Sequence, residues 1–391
     1  MSNSLSSRIS NNLLYIDLVG RIDATNASET EAAIRAIRAE HPGMYTVLDA
    51  DELTYISSAG LRVIMRLRKE DTNIAVINAA SEVYQIFEMT GFTDIMKIEK
   101  AYRRLSVEGC AFIAKGANGA VYRYDPETVV KVYFNPDSLP EIERERKNSR
   151  AAFVLGVNTA IPYDIVRVGD GYGSVTELLN ADPITKLIRR DPEHLDQVVA
   201  YFVDTVKHIH TIDAGSANLP KLKDNFLDWV AFVKPSLPED QYEKLHALAE
   251  ALPDPTTLLH GDYHPDNVMV QNGETLLIDM DTLATGHPIL ELASMYNALV
   301  GFSEVNPETC TNFFGFDREV GKRFWELSLQ RYLNTTDEKI LNDVQQKAQI
   351  IGCTRLLRRT LRRNEPTREK VINHCLNRYA ELLPRVDTLE F

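Results

Sequence analysis

Short apolar runs alternate with amphipathic segments over the first hundred residues. Apolar runs predict strands over residues 13–19, 45–48 and 74–77. Apolar positions three and four apart predict helices over residues 27–40, 59–69 and 82–89, the last ended by Gly91. Strands that alternate with helices imply an α/β domain whose mixed sheet is covered by helices.

The pattern changes near residues 100–108. Three apolar runs, at residues 111–114, 120–124 and 129–133, predict antiparallel strands joined first by a glycine turn. A charged helix begins near Pro140. After Asp182 the spacing is mostly helical, except over residues 260–279. This order predicts a β-rich lobe followed by a large helical lobe, an α+β bilobal fold.

With 391 residues, the chain is long for one domain. The changes in pattern predict three parts, residues 1–102, 103–180 and 181–391. Apolar residues make up 44% of the chain and charged residues 25%, which is typical of a globular protein with sizeable cores.

The formal net charge of −13 argues against general binding to nucleic acid or to an anionic membrane, since both require basic surfaces. No apolar run approaches the roughly 20 residues that cross a bilayer. The four cysteines are widely spaced and form no paired metal motif. We therefore expect free thiols and a cytoplasmic location.

The sequence HGDYHPDN at residues 260–267, followed by LID at residues 277–279, carries the candidate chemistry. Asp262 and Asn267 are five positions apart, and Asp279 lies twelve beyond Asn267 at the end of an apolar run. Phosphoryl transfer uses one carboxylate to orient the attacking hydroxyl, and an amide and a second carboxylate to hold Mg²⁺ on the nucleotide.

Two further segments precede this loop. Gly116, Asn118 and Gly119 lie between two predicted strands, where glycines let backbone N–H groups approach a phosphate or simply form a hairpin turn. Lys131 lies inside an apolar strand, and a buried cation needs a partner. Glu145 is the preferred partner, with Glu141 and Glu143 left open.

Together these segments resemble the aminoglycoside phosphotransferase and choline kinase-like family, distant relatives of protein kinases. The resemblance covers roughly residues 105–300. It implies that Lys131 contacts ATP phosphates, that Asp262 is the base, and that Asn267 and Asp279 bind Mg²⁺. It also implies an inter-lobe hinge at residues 174–179, where backbone groups near Glu177 and Leu179 face adenine.

Other residues of the loop have structural alternatives. His260 is expected to pack and hold the loop, and His264 and Asp266 to shape it. Asp281 either assists the metal or caps the following turn. The family usually has Asp where this chain has Glu291, a residue that the resemblance implies braces the lobe.

The first hundred residues resemble the STAS domain of anti-sigma factor antagonists. The matching segments are GRIDA at residues 20–24, LDA at 48–50, YISSAGLRV at 55–63, VYQIF at 83–87, and Gly91 with Phe92. The resemblance implies that Ser58 is the serine phosphorylated by a partner kinase, which controls binding of an anti-sigma partner. A helix start accommodates a phosphate, although Ser57 and Ser58 are also ordinary N-cap residues.

Five arginines are spaced three and four apart near the end of the chain and form one helical stripe: Arg355, Arg358, Arg359, Arg362 and Arg363. Arginine forks suit phosphate and carboxylate groups. The stripe either binds an anionic substrate, docks acidic parts of the chain, or is a solvated or internally paired face.

The preferred function is ATP- and Mg²⁺-dependent phosphoryl transfer to a hydroxyl of a small molecule, linked to a regulatory or docking STAS domain. One alternative is a protein serine kinase acting on a STAS serine such as Ser58. Another is a module that senses nucleotide without turnover and captures an anti-sigma-like partner. The intact set of catalytic residues favours an enzyme.

Overall fold

The computed structural model describes residues 5–116, 118–363 and 367–391. The chain divides into two compact units, Met1–Leu105 and Ser106–Phe391, and each has its own hydrophobic core. The domain limits expected from the sequence, after residues 102 and 180, remain predictions.

The first unit is built on a five-stranded mixed sheet in the order β1-β2-β3-β4-β5. Its strands are β1 (Ser7–Ser10), β2 (Leu13–Ile22), β3 (Tyr45–Ile56), β4 (Ile74–Ala79) and β5 (Ile98–Lys100). β1 and β2 are antiparallel, and the other neighbouring pairs are parallel. Apolar side chains of the central strands, such as Ile16 and Leu48, are fully buried. Buried residues of β2 alternate with less buried ones, whereas β3 is buried continuously over residues 46–50.

Helices connect and cover these strands. They are α1 (Ala27–Glu40), α2 (Ser58–Glu70), α3 (Ser81–Met89) and α4 (Phe92–Ile95). The α/β architecture expected from the sequence is confirmed. The strand predicted over residues 45–48 continues to Ile56, beyond its apolar run, because it keeps pairing with β2 as far as Ile22.

The second unit opens with a five-stranded antiparallel sheet in the order β6-β7-β8-β10-β9. The strands are β6 (Ala111–Lys115), β7 (Gly119–Arg123), β8 (Thr128–Tyr133), β9 (Pro162–Val168) and β10 (Gly171–Glu177). Helix α5 (Leu139–Val154) packs against β9 and β10. This is the expected β-rich lobe, and α5 is the expected charged helix.

The remainder is mainly helical, as predicted. The helices are α6 (Ile184–Arg190), α7 (Asp196–Ile209), α8 (Leu222–Val233), α9 (Glu239–Ala251), α10 (Ile289–Tyr296), α11 (Phe302–Val305), α12 (Thr309–Phe314), α13 (Arg318–Leu333), α14 (Glu338–Arg362) and α15 (Arg368–Leu382). Short strands interrupt them: β11 (Asp182–Pro183), β12 (Leu258–Leu259), β13 (Val268–Gln271), β14 (Glu274–Leu277) and β15 (Ala284–Thr285). Over the described ranges, no helix has both the length and the apolarity of a membrane span.

Helix α14 is held close to a π-helical turn, Asn297–Gly301, that follows α10. Asn297 donates a hydrogen bond from Nδ2 to the Gly352 carbonyl at 2.9 Å. A Cβ at Gly352 would lie 2.5 Å from Asn297 Oδ1, so glycine permits this approach. One turn later, the same helix presents Arg355.

Candidate active site

The loop at residues 260–267 follows β12 and precedes β13. Its sharp turn depends on Gly261, which has a φ of +82° and lies against Thr282; a Cβ there would be 2.3 Å from the Thr282 carbonyl oxygen. Only glycine satisfies both the backbone conformation and the close approach. The turn directs the next residue, Asp262, to the site.

A buried carboxylate braces the loop from below. Glu291, at the start of α10, accepts hydrogen bonds from the backbone N–H groups of His260 at 2.6 Å and Gly261 at 3.0 Å. His260 is itself fully buried, and its Nε2 lies 2.9 Å from the Ile278 carbonyl oxygen. These contacts support a structural role for His260 and a bracing role for Glu291.

Asn267 is buried and connects the two ends of the loop. Its Nδ2 donates to the carbonyl of Asp262 at 3.0 Å. The backbone carbonyl of Asn267 accepts a hydrogen bond from the N–H of Ile278 at 3.1 Å. The amide orientation leaves the acceptor atom, Oδ1, as the group that can face a cation.

Lys131 links three segments that are distant in the sequence. Its Nζ lies 3.2 Å from Glu145 Oε2 on α5 and 3.1 Å from Asp279 Oδ1. Of the three glutamates considered, Glu145 is therefore the one that pairs with Lys131. Burial alone would lower the pKa of the Lys131 ammonium, but the negative charges of Asp279 and Glu145 raise it overall.

Asp279 follows β14 in the left-handed backbone region, with a φ of +58°. Asp281 lies two residues on, and burial together with the charges of Glu145 and Asp279 raises its pKa to about 6. The crowding of carboxylates shows that this corner of the site is short of positive charge. A divalent cation would relieve that shortage.

The side-chain oxygen atoms of Asn267 and Asp279 are of the type that Mg²⁺ prefers, and their role as its ligands remains a prediction. Within the described part of the chain, no group of three or more His, Cys, Asp or Glu side chains could hold a metal by itself. Mg²⁺ is usually held by one or two protein ligands completed by nucleotide phosphates and water, which fits this donor set.

Asp262 faces a different set of side chains. Burial alone would raise the pKa of its carboxyl group, but Arg355, His264 and His260 lower it overall, so Asp262 is ionised near neutral pH. Arg355 Nη2 donates to Asp262 Oδ1 at 2.9 Å, and His264 Nε2 lies 3.7 Å from Oδ2. An ionised carboxylate can accept a hydrogen bond from a hydroxyl group.

The glycine turn joins β6 and β7. A Cβ at Gly119 would lie 2.5 Å from the Val132 carbonyl oxygen, so the strand packing requires glycine there. A Cβ at Gly116 would lie 4.0 Å from the Gly119 carbonyl oxygen, an ordinary van der Waals contact, so packing does not require glycine at Gly116. Asn118 is exposed, and its carbonyl accepts from Phe134 N–H; Ala117 lies outside the described residues.

The predicted hinge, residues 174–179, overlaps the end of β10 and extends two residues beyond it. The N–H groups of Glu177 and Leu178 donate to the carbonyls of Ile161 and Glu127. These two N–H groups already form hydrogen bonds within the protein. Of residues 177–179, Leu179 is therefore the one whose N–H group we expect to contact adenine. The adenine-facing role of Glu177 and Leu179 remains a prediction.

Comparison with known proteins identifies the family of the second unit. Residues 109–322 match the phosphotransferase enzyme family that includes the aminoglycoside phosphotransferases. The chain belongs to this family. Residues 4–105 match the STAS domain, so the protein is a kinase-like phosphotransferase fused to a STAS domain.

The relatives of the STAS domain have names from sigma-factor regulation. A protein described as an anti-sigma factor antagonist, BtrV of Bordetella bronchiseptica, is 32% identical over 90 residues, which cover 22% of this chain and 77% of BtrV. The anti-sigma-B factor antagonist of Listeria monocytogenes is 28% identical over 91 residues, which cover 22% of this chain and 79% of that protein.

Solved structures similar to the chain include two aminoglycoside phosphotransferases. APH(2'')-Ib bound to ADP has a TM-score of 0.46 and is 16% identical. The match covers 76% of this chain and 98% of the APH(2'')-Ib chain. APH(4)-Ia with ADP and hygromycin B has a TM-score of 0.49 and is 12% identical, and the match covers 71% of this chain and 96% of the APH(4)-Ia chain. A choline/ethanolamine kinase family protein from Mesorhizobium loti has a TM-score of 0.47 and 13% identity, and covers 71% and 89%. The assignment rests on the family match.

Two contacts in the phosphotransferase unit were not predicted from the sequence. Tyr133 donates its hydroxyl to Glu145 Oε2 at 2.5 Å, a contact for which the sequence contains no motif. Arg355 contacts Asp262 although the two residues are 93 positions apart. The arginine spacing was the only signal that could have pointed to this second contact.

His264 and Asp266 help shape the loop, as the sequence suggested. His264 packs against Phe313 and Phe314, and burial lowers its pKa. Asp266 accepts a short hydrogen bond from the Thr185 hydroxyl on α6. The loop is therefore supported by α6 and α12 as well as by Glu291.

In the STAS domain, the two serines at the start of α2 differ. Ser57 is the N-cap, and its Oγ accepts from the N–H groups of Ala59 and Gly60 at 3.1 and 3.5 Å. Ser58 is the first helical residue and is exposed. Because Ser57 alone caps the helix, the hydroxyl of Ser58 is not needed for capping.

Proposed function

We propose that the phosphotransferase unit transfers the γ-phosphoryl group of ATP to a hydroxyl of a small molecule, and that the STAS domain regulates or docks it. The supporting observation is the contact of Lys131 with both Glu145 and Asp279, opposite a loop that carries Asp262 and Asn267. These five residues are of the types that phosphoryl transfer uses.

Each side chain has a distinct role in this proposal. Lys131 binds the α- and β-phosphates, with Glu145 orienting its ammonium. Asn267 and Asp279 hold Mg²⁺, which neutralises charge on the phosphates. Backbone N–H groups near Gly116, Asn118 and Gly119 approach the terminal phosphates, and the segment from Glu177 to Leu179 faces adenine.

In the reaction, Asp262 accepts a hydrogen bond from the acceptor hydroxyl. The acceptor oxygen forms a bond to the γ-phosphorus of ATP. At the same time the bond between the γ-phosphorus and the oxygen that bridges it to the β-phosphorus breaks, and ADP is released. The hydroxyl proton passes to Asp262 and then to solvent. Most of the rate gain comes from positioning and charge stabilisation.

The test is ADP formation with Mg-ATP and a panel of hydroxyl compounds, measured for the wild type and Asp262→Asn. We expect acceptor-dependent turnover that Asp262→Asn lowers by at least about 100-fold, with ATP affinity little changed. Asp240→Asn, an exposed aspartate on α9, is the matched control and keeps activity. ATP binding without turnover by any acceptor would favour the nucleotide-sensing alternative.

A second candidate activity is phosphorylation of Ser58. The exposure of Ser58, with Ser57 serving as the cap, supports this possibility, as do the names of the STAS relatives. Under this proposal the phosphate controls capture of an anti-sigma-factor-like protein. The added negative charge would sit at a helix N-terminus, where it is tolerated locally but changes a docking surface.

Peptide mass spectrometry after incubation with Mg-ATP tests the second candidate. Phosphate on Ser58 in the wild type, absent from Asp262→Asn and retained by Asp240→Asn, would make the protein its own kinase. An unmodified Ser58 in an enzyme that turns over ATP with a hydroxyl compound would exclude self-phosphorylation and leave the small-molecule activity.

A further inference from the structure

An arginine cluster lies beside the catalytic loop on the side formed by α8 and α14. Arg355 donates from Nη1 to the Ser294 hydroxyl at 2.8 Å and to the Gly261 carbonyl at 3.2 Å, and from Nη2 to Asp262. Its guanidinium is thus fixed against the loop. Through Arg355 the arginine stripe reaches Asp262.

Trp229 on α8 is contacted by two of these arginines. The guanidinium carbons of Arg355 and Arg358 are 5.8 and 5.9 Å from the centre of its ring. Trp229, Arg355, Ser294, Gly261 and Gly352 line one small cleft. Trp229 is only partly buried, so one edge of the cleft has an aromatic surface that a ligand can contact.

Arg358 is a partly buried cation of the cluster. Burial, followed by the positive charges of Arg362 and Arg355, lowers the pKa of Arg358, and the charge of Asp228 opposes this shift. In the described part of the chain, its guanidinium has the contact with Trp229 but no hydrogen bond or ion pair. A half-buried guanidinium without such partners is costly unless an anion binds.

The cleft itself, about 10 Å³, has room for one water molecule, and Arg358 lies outside its lining. We propose that the surface beside the cleft, formed by Arg358 and Trp229, binds an anionic group of the phosphoryl acceptor. The acceptor is then a small hydroxyl compound that carries a phosphate or a carboxylate, and this inference rests on the proposed phosphotransferase function. Arg358 binds the anion, the Trp229 ring contacts the carbon skeleton, and Arg355 is a positioning residue that orients Asp262.

The geometry explains why an anion is favoured over a cation. The acceptor hydroxyl lies at Asp262, whose neighbour on this side is Arg355. A cationic acceptor would bring like charge against both Arg355 and Arg358, whereas an anionic one forms charge-assisted hydrogen bonds with the arginine fork. The anionic group is unchanged in the reaction, since only the hydroxyl is phosphorylated.

The kinetic test compares matched acceptors: glycerate and glycerol 3-phosphate as anions, glycerol as the neutral compound, and choline and kanamycin as cations. We expect kcat/KM to be at least about tenfold higher for an anion than for glycerol. Arg358→Gln should raise KM for the anion about tenfold with kcat nearly unchanged, and Arg358→Lys should recover part of the loss. Arg323→Gln, an exposed arginine on α13, is the control.

A binding test separates this inference from the proposed function. The protein has two tryptophans, and Trp325 is buried whereas Trp229 is not. We expect inorganic phosphate or acetate, titrated at constant ionic strength without nucleotide, to change fluorescence in the wild type but not in Trp229→Phe. Arg358→Gln should weaken this response about tenfold, and the stronger of the two probes identifies the anion type.

The outcomes are distinct. Fluorescence changes without turnover of any acceptor would overturn the proposed function and keep the anion site. Turnover of glycerol, choline or kanamycin at rates unaffected by Arg358→Gln would keep the phosphotransferase and overturn the anionic acceptor. No fluorescence response to either anion would also overturn it.

Discussion

Glu291 Oε1 accepts a hydrogen bond from the backbone N–H of Gly261 at 3.0 Å, and Gly261 immediately precedes the candidate base, Asp262. Glu291 Oε2 accepts from His260 N–H at 2.6 Å. One fully buried carboxylate therefore satisfies two buried backbone donors. Glu291 thus braces the loop through both of its carboxylate oxygens.

Removing this brace should affect both stability and activity. We expect Glu291→Ala to lower the free energy of unfolding by about 2–4 kcal/mol, because two buried N–H groups lose their acceptor. Activity should fall as well, since Asp262 follows these groups. Urea denaturation and ADP release measure the two effects. Glu243→Ala, at an exposed position on α9, is the control, and equal stability of the two variants would contradict the bracing role.

Gly261→Ala should destabilise the loop through a clash as well as backbone strain. The new Cβ would lie 2.3 Å from the Thr282 carbonyl oxygen, at a φ of +82°. We expect a loss of at least about 3 kcal/mol and of nearly all turnover. Gly273→Ala separates the two causes, because Gly273 has a φ of +86° but no atom nearer than 3.9 Å. It should lose only about 1 kcal/mol.

The fold could be predicted because each unit has local patterns that match its structure. β3 and β4 each contain a continuous buried stretch, whereas the buried residues of β2 alternate with less buried ones as far as Leu18. The catalytic loop was visible because Asp262, Asn267 and Asp279 lie within one short stretch of sequence. Local periodicity and fixed spacing were sufficient in both cases.

The contacts between distant segments could not be predicted in this way. Helical periodicity allowed Glu141, Glu143 or Glu145 to face Lys131, and only the packing of α5 against β9 and β10 selects Glu145. The stripe on α14 was equally ambiguous, because its meaning depends on how closely α14 approaches the loop. Gly352 permits the close approach of α14 to Asn297, and a glycine inside a helix gives no local sign of it.

Glu304 should make the helical lobe more stable at neutral than at acid pH. It contacts His374 at 3.3 Å and Arg378 at 2.9 Å, which join α11 to α15. Burial alone would raise its pKa, but the His374 hydrogen bond and the Arg378 charge hold it below the ordinary 4.5. Its contribution is therefore present above pH 4.5 and is lost as the pH falls through the lower, folded-state pKa.

We accordingly expect Glu304→Gln to be less stable than the wild type at pH 7, with the difference shrinking below pH 4.5. Urea denaturation at pH 7, 5, 4 and 3.5 measures this. Glu326→Gln removes an exposed glutamate 3.8 Å from Lys322 and should show little change at any pH. A difference for Glu304→Gln that grows on acidification would contradict the assignment.

Tyr133 should tune nucleotide binding through Glu145. Its hydroxyl donates to Glu145 Oε2, the atom that also lies 3.2 Å from Lys131 Nζ. In Tyr133→Phe the carboxylate loses a donor and Lys131 is less firmly oriented. We expect the KM for ATP to rise about five- to tenfold, equivalent to about 1 kcal/mol, with kcat little changed. Tyr124→Phe, at an exposed position, is the control.

A double-mutant cycle decides whether Tyr133 acts through Glu145. In a Glu145→Gln background, the carboxylate that Tyr133 orients is already gone, so adding Tyr133→Phe should raise the KM for ATP by less than twofold. Additive effects would mean that Tyr133 supports the sheet instead of the lysine. Thermal unfolding of the same four proteins distinguishes the two, because a general packing loss would lower Tm in both backgrounds while an orienting role would leave it nearly unchanged.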